Sequence, residues 1–253
     1  MYRGPTARGR AAPIDSSGMD PERLIYPVTK HLLLGPAMRV AFLPRVRGLG
    51  HVPRRGPVIL AANHLAVLDS FVLPLMVPRR VHFLGKQEYF TAAGPRGRAT
   101  AAFFRGLGAI AVDRSGGRAA LAALDASARV LERGGVFAIH PEGTRSPDGR
   151  LYRGRTGVAR LALRTGAPVV PVAIEGTDRV QPRGRAVPRP GRIALRFGAP
   201  LRFAGRDAGT PRGRAAREVT DEIMAAIRDL SGQEYAGSYA PPPGDGRAAE
   251  NPS

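Results

Sequence analysis

A histidine and an aspartate, His64 and Asp69, carry the clearest chemical signal in the chain. They lie in the stretch Asn63-His64-Leu65-Ala66-Val67-Leu68-Asp69, between the apolar run Pro57–Ala62 and a second apolar run from Ser70 to Val77. Polar residues between two apolar segments mark a strand-to-helix turn, where a loop presents chemistry on a rigid scaffold. On a single helix, positions i and i+5 diverge by roughly 140°. The two side chains can therefore meet only if His64 sits on the turn and folds back over the start of the helix. Asp69 would then accept from one imidazole nitrogen, fix the tautomer and leave the other nitrogen as a base. A His/Asp pair with no partnered nucleophile in its motif suits removal of a proton from a substrate's own hydroxyl. The same two residues also fit an ordinary surface or capping pair, so spacing alone does not make them catalytic.

Three later stretches add groups that could hold an anion. Gly108-Ala109-Ile110-Ala111-Val112-Asp113-Arg114 reads as a strand ending in a flexible Ser115-Gly116-Gly117 turn. Arg114 at its end could clasp a phosphate bidentately or simply be solvated. His140-Pro141-Glu142-Gly143-Thr144-Arg145-Ser146 follows another apolar strand. In it Gly143 and Thr144 could offer backbone N–H groups as an anion-binding nest beside Arg145, although Pro-Glu-Gly-Thr is also ordinary turn chemistry. Arg153 and Arg155, in Tyr152-Arg153-Gly154-Arg155-Thr156-Gly157, are either phosphate or coenzyme contacts or a solvated basic loop.

The elements that must carry these groups alternate. Strands are predicted at Val58–Ala62, Val81–Leu84, Ala109–Val112, Val136–Ile139, Val169–Ile174 and Ile193–Phe197. Helices are predicted over 65–77, bent or ended by Pro74, and over 118–133, where Leu121, Leu124, Ala128 and Leu131 form one stripe before Gly134-Gly135. Two more are predicted, over 156–164 and from Thr210-Pro211 onward, the latter with Val219, Ile223, Ile227 and Leu230 at helical spacing. The stretch from Thr91 to Phe104 gives no readable pattern. Strands separated by helices indicate an α/β domain with a mainly parallel central sheet flanked by helices.

Composition sets the boundaries and excludes some chemistry. The chain has 253 residues, a net charge of +19 and no cysteine, which rules out disulfides, thiolate metal sites and a cysteine nucleophile. Its positive charge is almost wholly arginine, since Lys30 and Lys86 are the only lysines, and it favours anionic partners. Aromatics are 6% of residues with no Trp and no nucleic-acid-binding motif, so a nucleic-acid partner rests on charge alone and is set aside. Residues 1–22 and 236–253 read as disordered tails around a domain at 23–235, and no secretory signal is evident. Within 23–47, Leu32-Leu33-Leu34 and Val40-Ala41-Phe42-Leu43 sit among His31, Arg39, Arg45 and Arg47. These read either as short helices lying in a membrane interface or as caps on the domain core. No apolar run reaches the roughly 18 residues a spanning helix needs.

The blocks together resemble the glycerolipid acyltransferases, in particular the lysophosphatidic acid acyltransferases. Asn63-His64-x4-Asp69 matches that family's first motif, and Gly108 to Arg114 its second. The third, Phe-Pro-Glu-Gly-Thr-Arg-Ser, departs here only at His140, and Val169-Val170-Pro171-Val172 resembles the fourth. Lys86 stands where members often carry lysine, without a firm role. The resemblance covers about residues 40–200 and implies a glycerol-3-phosphate acyltransferase-like α/β fold. It implies His64 and Asp69 as catalytic pair, with Asn63, Arg114, Glu142, Gly143, Thr144, Arg145, Arg153 and Arg155 binding substrate. Val169–Ile174 would line the acyl site. The implied reaction moves a fatty acyl group from acyl-CoA or acyl carrier protein to the sn-2 hydroxyl of lysophosphatidic acid. It needs no cofactor or metal and would run at an anionic membrane, peripherally or monotopically on the cytoplasmic face. Glycerol 3-phosphate, another lysophospholipid or a polyol stays open as acceptor, as does a non-catalytic membrane-binding module.

Overall fold

The computed structural model describes residues 26–112, 117–206 and 211–242. A seven-stranded sheet runs through it in the order β1-β7-β6-β2-β5-β3-β4. The strands are β1 (Arg45–Arg47), β2 (Val58–Ala62), β3 (Val81–Lys86), β4 (Ala109–Val112), β5 (Val136–Ile139), β6 (Val169–Glu175) and β7 (Ala194–Phe197). β2 lies parallel to both its neighbours, β5 and β6, and β3 and β4 continue the parallel run beyond β5. Direction reverses only between β6 and β7, with β1 then parallel to β7. The helices are α1 (Val28–Leu33, wound with π-helical spacing), α2 (Leu34–Phe42), α3 (Asp69–Met76), α4 (Glu88–Thr91), α5 (Gly94–Gly106), α6 (Gly117–Glu132), α7 (Gly157–Thr165), α8 (Thr177–Val180) and α9 (Arg212–Ser231). This is the helix-flanked, mainly parallel α/β sheet that the alternation of apolar segments predicts.

β2 is the axis of the core. Its residues alternate between two apolar layers, as strand geometry requires. Val58, Leu60 and Ala62 join Met38, Phe42 and Leu73 on one face, whereas Ile59 and Ala61 join Leu131, Leu161 and Ile223 on the other. Every residue of β2 is fully buried, so the strand's carboxyl end is a fixed platform for whatever follows it.

Four features depart from the sequence reading. α3 begins at Asp69, not Leu65, because residues 65–68 form the turn that lets His64 fold back. The unread stretch from Thr91 forms α5, started by Pro95 in its first turn. β1 is a three-residue edge strand recruited by β7 and has no apolar signature of its own. Finally, residues 236–242, read from the sequence as tail, lie on the domain: Ala236 donates to Leu151 O at 2.9 Å and Ser238 O accepts from Arg153 N at 2.8 Å.

At the amino end, buried Lys30 ties α1 to the turn after α3. Its Nζ donates to Val77 O, to the Tyr26 hydroxyl at 3.1 Å and to Arg79 O at 3.3 Å. Burial pushes this ammonium down to about 8. The outer sides of α1 and α2 leave Leu32, Leu33, Val40 and Leu43 exposed. Among the described residues, no helix is long and apolar enough to cross a membrane.

Gly108 sets where β4 begins. Its φ is +89°, and a Cβ there would lie 2.4 Å from Val81 O. Gly108→Ala is therefore expected to destabilise the fold by about 2 kcal/mol or more, from left-handed strain and displacement of β3. Urea unfolding measures this, and a wild-type midpoint would contradict the assigned turn.

Candidate active site

The site forms where the parallel strands end, the usual place for ligands in sheets of this kind. β2 and β5 are paired through Ala61 and Ile139, so the Asn63-His64 and His140–Ser146 stretches leave the sheet side by side. His64 lies on the turn, and its Nδ1 is 3.0 Å from Asp69 Oδ2. The same Oδ2 accepts the backbone N–H groups of Leu65 at 2.7 Å and Ala66 at 2.8 Å. Burial opposes ionisation of Asp69 most strongly, but the hydrogen bond and charge of His64 prevail and hold the carboxyl below its ordinary value. An ionised acceptor fixes the His64 proton on Nδ1 and leaves the Nε2 lone pair available. The His64 side chain remains 16% exposed while Asp69 is fully buried.

His140, the departure from the family's third motif, lies flat against His64 with ring centroids 4.0 Å apart and 10° between planes. Its Nδ1 faces two carbonyl oxygens, Ala62 O at 3.1 Å and Asn63 O at 3.0 Å, so that nitrogen must be the donor. Burial and the adjacent His64 push the His140 ring down to about 3, which keeps it neutral. It therefore gives the base the flat surface a phenylalanine would give. It also pins the backbone beneath that base.

Asn63 and Glu142, taken by resemblance as substrate contacts, are instead supports. Asn63 is fully buried and both its amide protons are used: Nδ2 donates to Ile174 O at 2.9 Å and to Gln233 Oε1 at 2.8 Å, while Oδ1 accepts Ile174 N at 2.7 Å. Glu142 is also buried; Oε1 accepts His64 N at 2.9 Å and Oε2 accepts Tyr152 N at 2.9 Å. Neither lines the adjoining cavity. The Val169–Ile174 segment likewise misses it, because β6 is buried in the sheet.

His64, Asp69 and His140 open onto a cavity of about 1310 Å³. Leu73, Phe83, Leu84, Val112, Leu124 and Ile139 give it an apolar wall suited to a hydrocarbon chain. Thr144, Arg145, Arg155, Arg160 and Arg183 give it a polar one. None of those four arginines forms an ion pair with a described residue, so their charge is available to an anionic ligand. Gly143 borders the cavity with φ +77°, but its N–H is taken by His140 O at 3.0 Å and does not serve an anion nest. Arg153 stands outside the cavity, stacked on Tyr239. Arg114, and the side chain of Lys86, lie outside the described residues. Among the described residues, no group of three or more His, Asp or Glu is gathered to hold a metal ion.

Sequence reasoning missed Arg160, Arg183 and two glutamines. Arg183 donates to Arg145 O at 2.9 Å, and Gln181 Oε1 accepts Leu68 N at 2.8 Å, holding the turn between His64 and Asp69. Gln233 reaches Asn63 from beyond α9. Only the arginine density of residues 179–192 gave any signal in the sequence.

Burial pushes the Glu142 carboxyl from an ordinary 4.5 up to about 7. The folded chain then binds this proton more tightly than the unfolded chain. The group's contribution to stability is thus full at low pH and falls as pH rises from about 4.5 to about 7. Glu142→Gln removes that dependence. Denaturant unfolding at pH 4.5 and 7.5 should show wild type losing about 3 kcal/mol relative to the variant; parallel profiles would mean the carboxyl is not held in this way.

Comparison with known proteins identifies the family and the fold. A sequence profile described as Acyltransferase matches residues 44–175, just over half the chain. A 1-acyl-sn-glycerol-3-phosphate acyltransferase of Limnanthes douglasii is 28% identical over 175 residues, covering 68% of this chain and 59% of that protein. The alpha form from Mus musculus is 27% identical over 180 residues, covering 70% and 61%. The chain thus spans less than two thirds of the length of these curated relatives. The crystal structure of the 1-acyl-sn-glycerophosphate (LPA) acyltransferase PlsC from Thermotoga maritima superposes with a TM-score of 0.62 at 25% identity, covering 83% of this chain and 79% of that one. Motifs, fold and profile converge: the chain belongs to the acyltransferase family.

Proposed function

We propose that the protein transfers a fatty acyl group from a thioester to the sn-2 hydroxyl of lysophosphatidic acid, forming phosphatidic acid. The observation that carries this reading is the His64 Nδ1–Asp69 Oδ2 contact of 3.0 Å, made by a histidine that lines a cavity bordered by both apolar side chains and arginines. The acceptor hydroxyl attacks the thioester carbonyl carbon as His64 Nε2 takes its proton. Asp69 stabilises the resulting imidazolium. Collapse of the tetrahedral intermediate breaks the C–S bond, and the departing thiolate recovers the proton from His64. General-base help of this kind is worth about 10²–10⁴-fold. The relatives' names support the acceptor assignment.

Arg145, Arg155, Arg160 and Arg183, which line the cavity as Thr144 does, are assigned here to the acceptor phosphate, with Arg114 added by resemblance. Glu142 and Asn63 act indirectly, by holding the His64 turn. The donor is acyl-CoA or acyl carrier protein, and both are anionic, which suits a chain of net charge +19. No cofactor takes part in the proposed steps. The exposed Leu32, Leu33, Val40 and Leu43, rimmed by Arg39, Arg45 and Arg47, suit an anionic membrane surface, peripheral or monotopic on the cytoplasmic face.

Thiol release from an acyl-CoA, measured with a panel of acceptors, tests the reading. Release should require lysophosphatidic acid and be weak with glycerol 3-phosphate. Release with glycerol 3-phosphate alone would keep the chemistry and overturn the acceptor. Silence with every acceptor and with both acyl carriers would favour a non-catalytic membrane module. Arg155→Ala should raise the KM for lysophosphatidic acid about tenfold or more and leave the thioester KM nearly unchanged; the reverse pattern would move Arg155 to the donor side.

A further inference from the structure

The segment that follows α9 is wired into the site at several points and has no role in the mechanism above. Residues 233–242 run beside residues 149–155. Leu151 N donates to Glu234 O at 2.8 Å, Ala236 N to Leu151 O at 2.9 Å and Arg153 N to Ser238 O at 2.8 Å. Gln233 bridges two loops, donating to Gly149 O at 2.6 Å while accepting from Asn63, the neighbour of the base. At the far end, Ala240 and Pro242 form part of the cavity wall.

Tyr239 is where this strap meets charge. The guanidinium carbons of Arg153 and Arg155 lie 5.5 Å and 5.6 Å from its ring centroid. Its hydroxyl accepts from Arg217 Nη1 at 3.3 Å, and the same nitrogen donates to Gly154 O at 2.8 Å between the two arginines. Arg155 is confined from the other direction as well. A Cβ on Gly143 would lie 2.9 Å from both Cδ and Nε of Arg155, so the side chain runs directly over that glycine. A long arginine otherwise loses much rotamer freedom on binding a ligand, and an aromatic face that pre-sets it removes part of that penalty.

We propose that the strap at residues 233–242 completes the phosphate-holding side of the site, with Tyr239 as a positioning residue that pre-sets Arg155 for the acceptor's phosphate. The inference rests on the acyl-transfer reading for its substrate, but the positioning itself can be read without turnover. Tyr239→Ala is expected to raise the acceptor KM about fivefold, with kcat and the thioester KM within about twofold of wild type. Tyr239→Phe, which keeps the ring and loses only the hydroxyl, should restore the wild-type acceptor KM. In an Arg155→Ala background, Tyr239→Ala should add almost nothing to the acceptor KM, because the two residues act as one unit. A purely structural role would lower kcat and melting temperature in both backgrounds.

Calorimetric titration with glycerol 3-phosphate alone, with no thioester present, separates this inference from the acyl-transfer reading. Wild type should bind and Tyr239→Ala should bind about fivefold more weakly, whether or not lysophosphatidic acid is turned over. Equal affinity of the two proteins, no binding by wild type, or full additivity with Arg155→Ala would each overturn the role of Tyr239. Failure of wild type to release thiol with any acceptor, while this affinity order holds, would instead overturn the reaction.

Discussion

A single buried oxygen, Asp69 Oδ2, organises the site. It accepts the His64 imidazole and the backbone N–H groups of Leu65 and Ala66 together. An ionised carboxylate without such partners would be strongly disfavoured in a fully buried position. Its need for three donors dictates the local fold. The chain must turn sharply after β2, α3 must start at Asp69, and the histidine must lie back over the first turn. The contact that orients the base is thus also what makes the buried charge tolerable, and neither can be changed without the other.

A second layer holds the turn in place. Glu142 grips His64 N from the neighbouring loop, Asn63 locks onto β6 through both amide atoms, and His140 anchors the Ala62 and Asn63 carbonyls while stacking under the base. These are polar groups with little or no access to water, and each of these contacts is partnered, which is the condition under which a buried polar network rigidifies instead of weakening a core. Burial holds His140 neutral beside His64, so the two rings do not compete for a proton. The network fixes a polar part of a cavity that hydrocarbon side chains also line. That juxtaposition suits a lipid with a charged head.

Much of this was legible in the sequence, for reasons that differ by residue. The meeting of His64 and Asp69 follows from their spacing, since helix geometry leaves only the turn-and-return arrangement. The parallel sheet follows from apolar runs separated by helical stripes, which the buried β2, β5 and β6 obey. The roles of Asn63 and Glu142 were misread because a motif records which residues stand together, not which way they face. β1 and α5 escaped because Arg45-Val46-Arg47 gains its strand character from pairing with β7, and Gly94, Gly97 and Gly106 dilute helical periodicity. Gln181, Arg183 and Gln233 reach the site from distant parts of the chain. Their contribution exists only once the sheet has brought the loops together.

In the proposed reaction His64 Nε2 takes the acceptor's proton. The most direct measurement compares His64→Ala with wild type in single-turnover thiol release from an acyl-CoA in the presence of lysophosphatidic acid, with denaturant unfolding of both proteins as control. The expected result is a loss of at least 10²–10⁴-fold in the rate of acyl transfer, with a folded, cooperatively unfolding variant. A variant that transfers acyl groups within a few-fold of wild type would contradict it, and the base would have to be sought elsewhere in the cavity.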